Sequence, residues 1–150
     1  YIVEMLLQPN CWSCLPTAFA MALGKEPIDI FEFIGHDGSD VIWPQLDDPQ
    51  RRRAFHIQEM INYCLDLDVY PVEIQAQPYT WPDGVDEESV LDIQVMIPME
   101  HYLRTKSGVI VGEIDGNRHA VAWDRSECYN PTGYKHPIIN IDIMAFYALF

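Results

Sequence analysis

The sequence predicts an α+β domain in which helices come first and an antiparallel sheet follows. Three observations carry this. Leu15 to Leu23 places apolar residues at positions 15, 18, 19, 22 and 23, the one-sided stripe of a helix that faces a core. Gly108 to Asn130 reads as short strand candidates broken by turn residues, an antiparallel meander. The two patterns do not alternate along the chain, as they would in a parallel βαβ sheet.

Taken in order, the first helix has Pro16 in its first turn, where a missing N–H does no harm, and Gly24 as its stop. Pro27 to Ile34 predicts a second short helix ending at Gly35. His36 to Gln50 is rich in Gly, Asp and Pro and reads as loop. Arg53 to Leu65 predicts another helix, with Phe55, Ile57, Met60, Ile61 and Cys64 toward its apolar side. Val69 to Ile74 alternates like a strand. Gln77 to Glu88 is proline- and acid-rich, an exposed excursion, and "MEHYLRTK" a helical segment. Gly108 to Ile114, His119 to Asp124 and Glu127 to Asn130 are then strands, joined by turns at Asp115-Gly116-Asn117 and Arg125-Ser126. Ile141 to Phe150 is an apolar closing element, about half the length a membrane helix needs.

The 150 residues suffice for one domain with a real core. Nine basic residues face 23 acidic ones, a formal net charge of −14. That field repels phosphate backbones, so nucleic acid is not an expected partner; a basic peptide or protein suits the charge, as does plain solubility. No basic, apolar and small-residue progression marks a signal peptide, and no membrane segment is expected. Four cysteines are too few for a disulfide framework in a chain of this length, and a reducing, cytoplasmic setting fits them. Cys64 and Cys128 read as buried apolar filler.

The stretch "LLQPNCWSCLPTAFAMALG" holds Cys11 and Cys14 at CxxC spacing. A redox pair should follow a strand within a βαβ pattern, which is missing. A structural zinc site needs four ligands, and no second close pair exists, so neither metal nor cofactor is expected. The remaining reading is a nucleophile. Cys14 stands at the head of a helix, where the dipole and free N–H groups favour a thiolate that would alkylate rapidly even at mildly acidic pH. Gln8, six residues earlier, could supply a side-chain amide to an oxyanion beside the Cys14 N–H.

A cysteine nucleophile wants a histidine distant in sequence. His36 and His56 read as solvated, His101 as helical, and His136 precedes a proline. His119 opens the apolar run "HAVAW" directly after the turn. For the group that orients it, Asp124 and Asn130 compete. Asp124 is five residues along the same strand, roughly 17 Å away, on the opposite face. A two-residue turn at Arg125-Ser126 pairs Trp123 with Cys128, Val121 with Asn130 and His119 with Thr132. Asn130 then shares the face of His119, one diagonal step away. A three-residue turn would flip that face.

Together, Gln8, Cys14 at a helix start, His119 on a late strand and Asn130 on the next resemble the papain-like cysteine peptidase superfamily. Within it, "QPNCWSCLPTAFAMALG", "GNRHAVAWD" and "CYNPTG" are most similar to the double-glycine leader peptidases that trim bacteriocin precursors; "FEFIGHDGSD" looks like their Gly-Asp-Gly stretch. Leu15 stands where those enzymes often have Gly, and Asn130 where Asp is more usual. The resemblance implies a papain-like fold and a cysteine peptidase or related thiol acyl hydrolase acting on a peptide or protein. Cys14 would be its nucleophile, His119 its base, Asn130 its orienter and Gln8 its oxyanion donor. The rival class is a catalytically inactive acidic binding module on the same scaffold.

Overall fold

The computed structural model describes residues 2–42, 52–75 and 99–150. The expected excursion from Gln77 to Glu88, and most of the loop ending at Gln50, lie outside these. The architecture is α+β, with four α-helices among the described residues and a six-stranded antiparallel sheet. Among those residues no helix is long and apolar enough to cross a membrane.

Helix α1 spans Cys14–Leu23 and ends at Gly24, whose φ of 69° is the left-handed conformation that glycine adopts without strain. The expected one-sided stripe is not what the fold uses. Every residue from Pro16 to Leu23 is buried. Ala18, Ala20 and Ala22 lie between the large side chains, and their small size lets neighbours close on all sides. α1 packs on the sheet, chiefly on strand β3 (Asn117–Trp123), and against α2 (Pro27–Ile34) and α3 (Ile57–Asp66).

Helix α2 matches its expected span and stops at Gly35 with φ 94°. Helix α3 begins four residues later than expected. His56 is its N-cap, with Nδ1 accepting the Gln58 N–H at 3.0 Å while Glu59 accepts the His56 N–H at 2.8 Å. Residues 53 and 54 are spent elsewhere: their N–H groups donate to Asp40 and Gly38 carbonyls at 2.7 and 2.9 Å. A reciprocal cap built on His56 and Glu59 outweighs an apolar periodicity that runs past it.

The sheet order is β1-β6-β2-β3-β4-β5, and every pairing is antiparallel. The strands are β1 Pro71–Gln75, β2 Gly108–Ile114, β3 Asn117–Trp123, β4 Cys128–Asn130, β5 Tyr134–His136 and β6 Asp142–Leu149. β1 starts two residues later than expected, because the Val69 N–H closes the end of α3 on the Cys64 carbonyl at 2.9 Å. β3 starts two residues earlier than expected. Ile114 pairs with Asn117 across a two-residue turn in which Asp115 (φ 51°) and Gly116 (φ 79°) both take positive φ, the geometry that matches strand twist. His119 therefore lies inside β3 rather than at its start.

The closing apolar element is strand β6, inserted between β1 and β2, one strand in from the edge of the sheet. Alternation along the strands builds two apolar layers. Val109, Ala120, Ala122, Ala145 and Tyr147 face the α1 side. Ile110, Val121, Trp123, Cys128, Phe146 and Ala148 form the other, where helix α4 (Met99–Thr105) contributes Tyr102 and Leu103. The Trp123 indole N–H donates to the Leu103 carbonyl at 2.7 Å.

Cys64 and Cys128 are both fully buried, and burial pushes each thiol up to about 12. The unfolded chain ionises these thiols near 8.5. The folded state thus holds protons that the unfolded state releases, so stability falls as pH rises from about 8.5 toward 12. We expect Cys64→Ala with Cys128→Ala to flatten that alkaline decline, checked by urea unfolding midpoints between about pH 8 and 11.

Candidate functional site

Cys14 is the first residue of α1. The chain reaches it through a turn built by Asn10, whose side-chain oxygen accepts the Trp12 N–H at 3.0 Å and whose carbonyl accepts the Ser13 hydroxyl at 3.1 Å. The Ser13 carbonyl accepts the Thr17 N–H at 3.1 Å and closes the first helical turn. Burial pushes the Cys14 thiol up. The backbone amides of Ala120, Leu15 and Cys14 itself favour the thiolate and pull the other way, but burial prevails. The pre-formed thiolate expected from the helix start is therefore corrected. Dipole and N–H groups favour the anion, yet loss of hydration costs it more. All four cysteines are free, with Cys11 exposed.

Ala120, whose backbone amide favours the Cys14 thiolate, is the residue after His119, and α1 packs on the strand that carries both. His119 is half-buried and pairs across the sheet with Gly112, which has no side chain to compete for its space. Its Nε2 lies 2.6 Å from Asn130 Oδ1. An amide oxygen only accepts, so Nε2 carries the hydrogen, and Nδ1 retains its lone pair. No hydrogen bond joins the Cys14 sulfur to this ring among the described residues.

The expected register holds at Trp123 with Cys128, and Ala122 pairs with Tyr129, but the ladder stops there: the expected pairs Val121–Asn130 and His119–Thr132 do not form, because residues 131–133 turn the chain away into β5. Arg125 stands at the head of the turn with φ 78°, and the Asp124 N–H donates to the Glu127 carbonyl at 3.3 Å. Asp124, the competing orienter, builds this turn instead. Its carboxylate accepts the Ser126 and Glu127 N–H groups at 2.8 and 2.7 Å and the Tyr129 hydroxyl at 2.9 Å.

Gln8 reaches the same region by its backbone, its N–H donating to the Pro131 carbonyl at 2.9 Å. Its side-chain Nε2 donates to the Asn10 carbonyl at 3.0 Å, and its Oε1 is buried without a partner among the described residues. The structure therefore brings His119 and Asn130 together directly and ties Gln8 to the loop after Asn130, while Cys14 heads the helix that packs on the strand carrying His119.

The other histidines have separate roles. His36 is not solvated as expected. Its side chain is 3% exposed, stacks on Phe55 at 4.6 Å, donates from Nε2 to Glu59 at 2.8 Å and accepts the Gly38 N–H at Nδ1. It is a packing residue whose ring nitrogens are both engaged. His56 caps α3, and His101 lies in α4, as its helical context suggested. His136 is buried at the end of β5, with Nδ1 on the Pro137 carbonyl at 3.0 Å. Among the described residues no group of three His, Cys, Asp or Glu side chains converges as a metal site.

A cavity of about 570 Å³ opens on the α1 side of the sheet. Leu15 and Arg118, the neighbours of Cys14 and His119, line one wall, and Phe55, Ile57, Ala145 and Tyr147 give it an apolar interior. A register shift between Val111 and Gly112 against β6 sets Met144 beside Ala145 in the lining, the kind of re-aiming that β-bulges perform.

Sequence reasoning missed Thr132. Its N–H and hydroxyl both donate to Asn130 Oδ1, at 3.0 and 2.7 Å. The signal was present in "NPTG", an Asn followed two residues later by a donor across a proline, the pattern of an Asx turn. No family model, no curated protein and no solved structure matches this chain.

Proposed function

We propose that this chain is a thiol hydrolase of papain-like arrangement, a cysteine peptidase or related acyl hydrolase. One observation carries the reading: an imidazole held at Nε2 by an amide oxygen, with Nδ1 left as a base, on the strand against which a helix headed by a cysteine packs. In the reaction, Cys14 passes its proton to His119 Nδ1 as the sulfur attacks a substrate carbonyl. The Cys14 N–H and a second Nε2 hydrogen of Gln8 donate to the oxyanion. His119 returns the proton to the leaving amine, and water, deprotonated by the same ring, releases the acyl group. The raised thiol keeps the proton on Cys14 at rest, to be moved during attack. The apolar cavity beside Leu15 and Arg118 suits a large apolar side chain on the substrate.

The rival reading, a catalytically inactive acidic binding module on this scaffold, draws support from that same raised thiol and from the net charge of −14. The test is labelling with a peptide vinyl sulfone, read by intact mass. We expect one adduct on Cys14, slow at mildly acidic pH and faster as pH rises toward the thiol's elevated range. His119→Ala should slow it roughly 10²-fold or more, as loss of a general base does. Gln8→Ala should leave iodoacetamide alkylation near wild type but lower peptide turnover by roughly 10²–10³, the cost of one oxyanion donor. Labelling spread evenly over Cys11 and Cys14, and indifferent to His119, would favour the binding module.

A further inference from the structure

The four-residue turn Asn130-Pro131-Thr132-Gly133 holds more than the orienting amide. It closes through the Gly133 N–H on the Asn130 carbonyl at 2.9 Å, with Gly133 at φ 111°. Inside it, Asn130 Oδ1 accepts three donors: His119 Nε2 at 2.6 Å, the Thr132 hydroxyl at 2.7 Å and the Thr132 N–H at 3.0 Å. Asn130 itself is 2% exposed, so water is a poor substitute for any of them. The Pro131 carbonyl, between them in sequence, takes the Gln8 N–H.

An amide differs from a carboxylate in having a wrong way round. Either oxygen of an aspartate would accept from His119. An asparagine rotated by 180° would present its NH₂ group and leave the imidazole to donate from the other nitrogen. An asparagine in this position therefore needs a lock. The Thr132 N–H supplies half of it, since a rotated amide would set donor against donor. The hydroxyl supplies the other half by giving the oxygen a second local donor.

We propose that Thr132 is a positioning residue. Its N–H and hydroxyl hold the Asn130 oxygen toward His119, place the imidazole hydrogen on Nε2 and keep Nδ1 free as an acceptor. The inference deepens the hydrolase reading, and only its catalytic consequence rests on that reading.

The test measures the His119 tautomer directly by ¹⁵N chemical shifts of the imidazole in the full chain, at about pH 8.5, where an ordinary imidazole is neutral. We expect the wild type to show the Nε2–H form. Thr132→Val should raise the Nδ1–H population roughly fivefold, the shift one neutral hydrogen bond supports. Thr132→Ser, which keeps the hydroxyl, should restore the wild-type ratio. In an Asn130→Asp background, Thr132→Val should have no further effect on the tautomer, because a carboxylate has no wrong way round. Thr132 is exposed, so neither of its replacements threatens the core. A wild-type ratio in Thr132→Val, or equal shifts in the Val and Ser variants, would overturn the proposal. If the ratios follow expectation and no acyl substrate is cleaved, the positioning role stands and the hydrolase reading fails. If substrate is cleaved but the ratios do not respond, the positioning role fails alone.

Discussion

Cys14→Ala is expected to lower peptide hydrolysis by roughly 10⁴-fold or more while leaving the melting temperature within a few degrees of wild type. A nucleophile and its base act as a unit, so removing either loses most of what both provide. His119→Ala should therefore reach a similar floor, and the double variant should fall little further. Asn130→Ala should be milder, because it leaves the base in place and disturbs only its orientation. The fold should tolerate the first change, since a helix-head position loses one half-buried sulfur and alanine is a good helix former. Turnover of a peptide library, read beside circular dichroism melts, checks the set. If Cys14→Ala preserves biological activity in a complementation assay, the chain acts by binding, and its acidic surface becomes the place to look.

Phe19→Ala should have the largest effect on stability. Phe19 is fully buried at the middle of α1, packed toward the sheet with its ring 6.2 Å from that of Tyr147. Its neighbours along the helix are alanines, which cannot move into the space, so the cavity would stay open. Truncations of this kind cost about 3–5 kcal/mol, a large part of the 5–15 kcal/mol that holds a domain together. The expected fall in melting temperature is roughly 10 °C. Activity should fall with it near the new midpoint but survive well below, since Phe19 is one turn removed from Cys14. Phe19→Leu, which refills most of the volume, should recover more than half the loss in a thermal melt.

Local chemistry made part of the fold legible in the residues themselves. Pro16, Gly24, Pro27 and Gly35 set the limits of two helices, because proline and glycine act on the backbone whatever surrounds them. The register of β3 against β4 was legible for a similar reason. A tight turn at Arg125-Ser126 leaves one in-phase pairing, and that pairing puts Asn130 on the face of His119. The α+β class also followed from periodicities that local geometry imposes.

Other features depended on partners far along the chain. Helix α3 begins at Ile57 because Gly38 and Asp40 take up the backbone of residues 53 and 54, a pairing that periodicity within the helix does not encode. The place of β6 between β1 and β2 was not legible, since its apolar run shows burial without naming neighbours. His36 looked solvated among charges, and only Phe55 and Glu59 packing over it make it a buried residue. The protonation balance at Cys14 is the clearest case. Proline and the apolar run after it put a cysteine at a helix head, where the backbone favours a thiolate. How much water the sulfur would lose depends on packing from distant segments, and that desolvation, which sums over every atom nearby, outweighs the few N–H groups that the local residues supply.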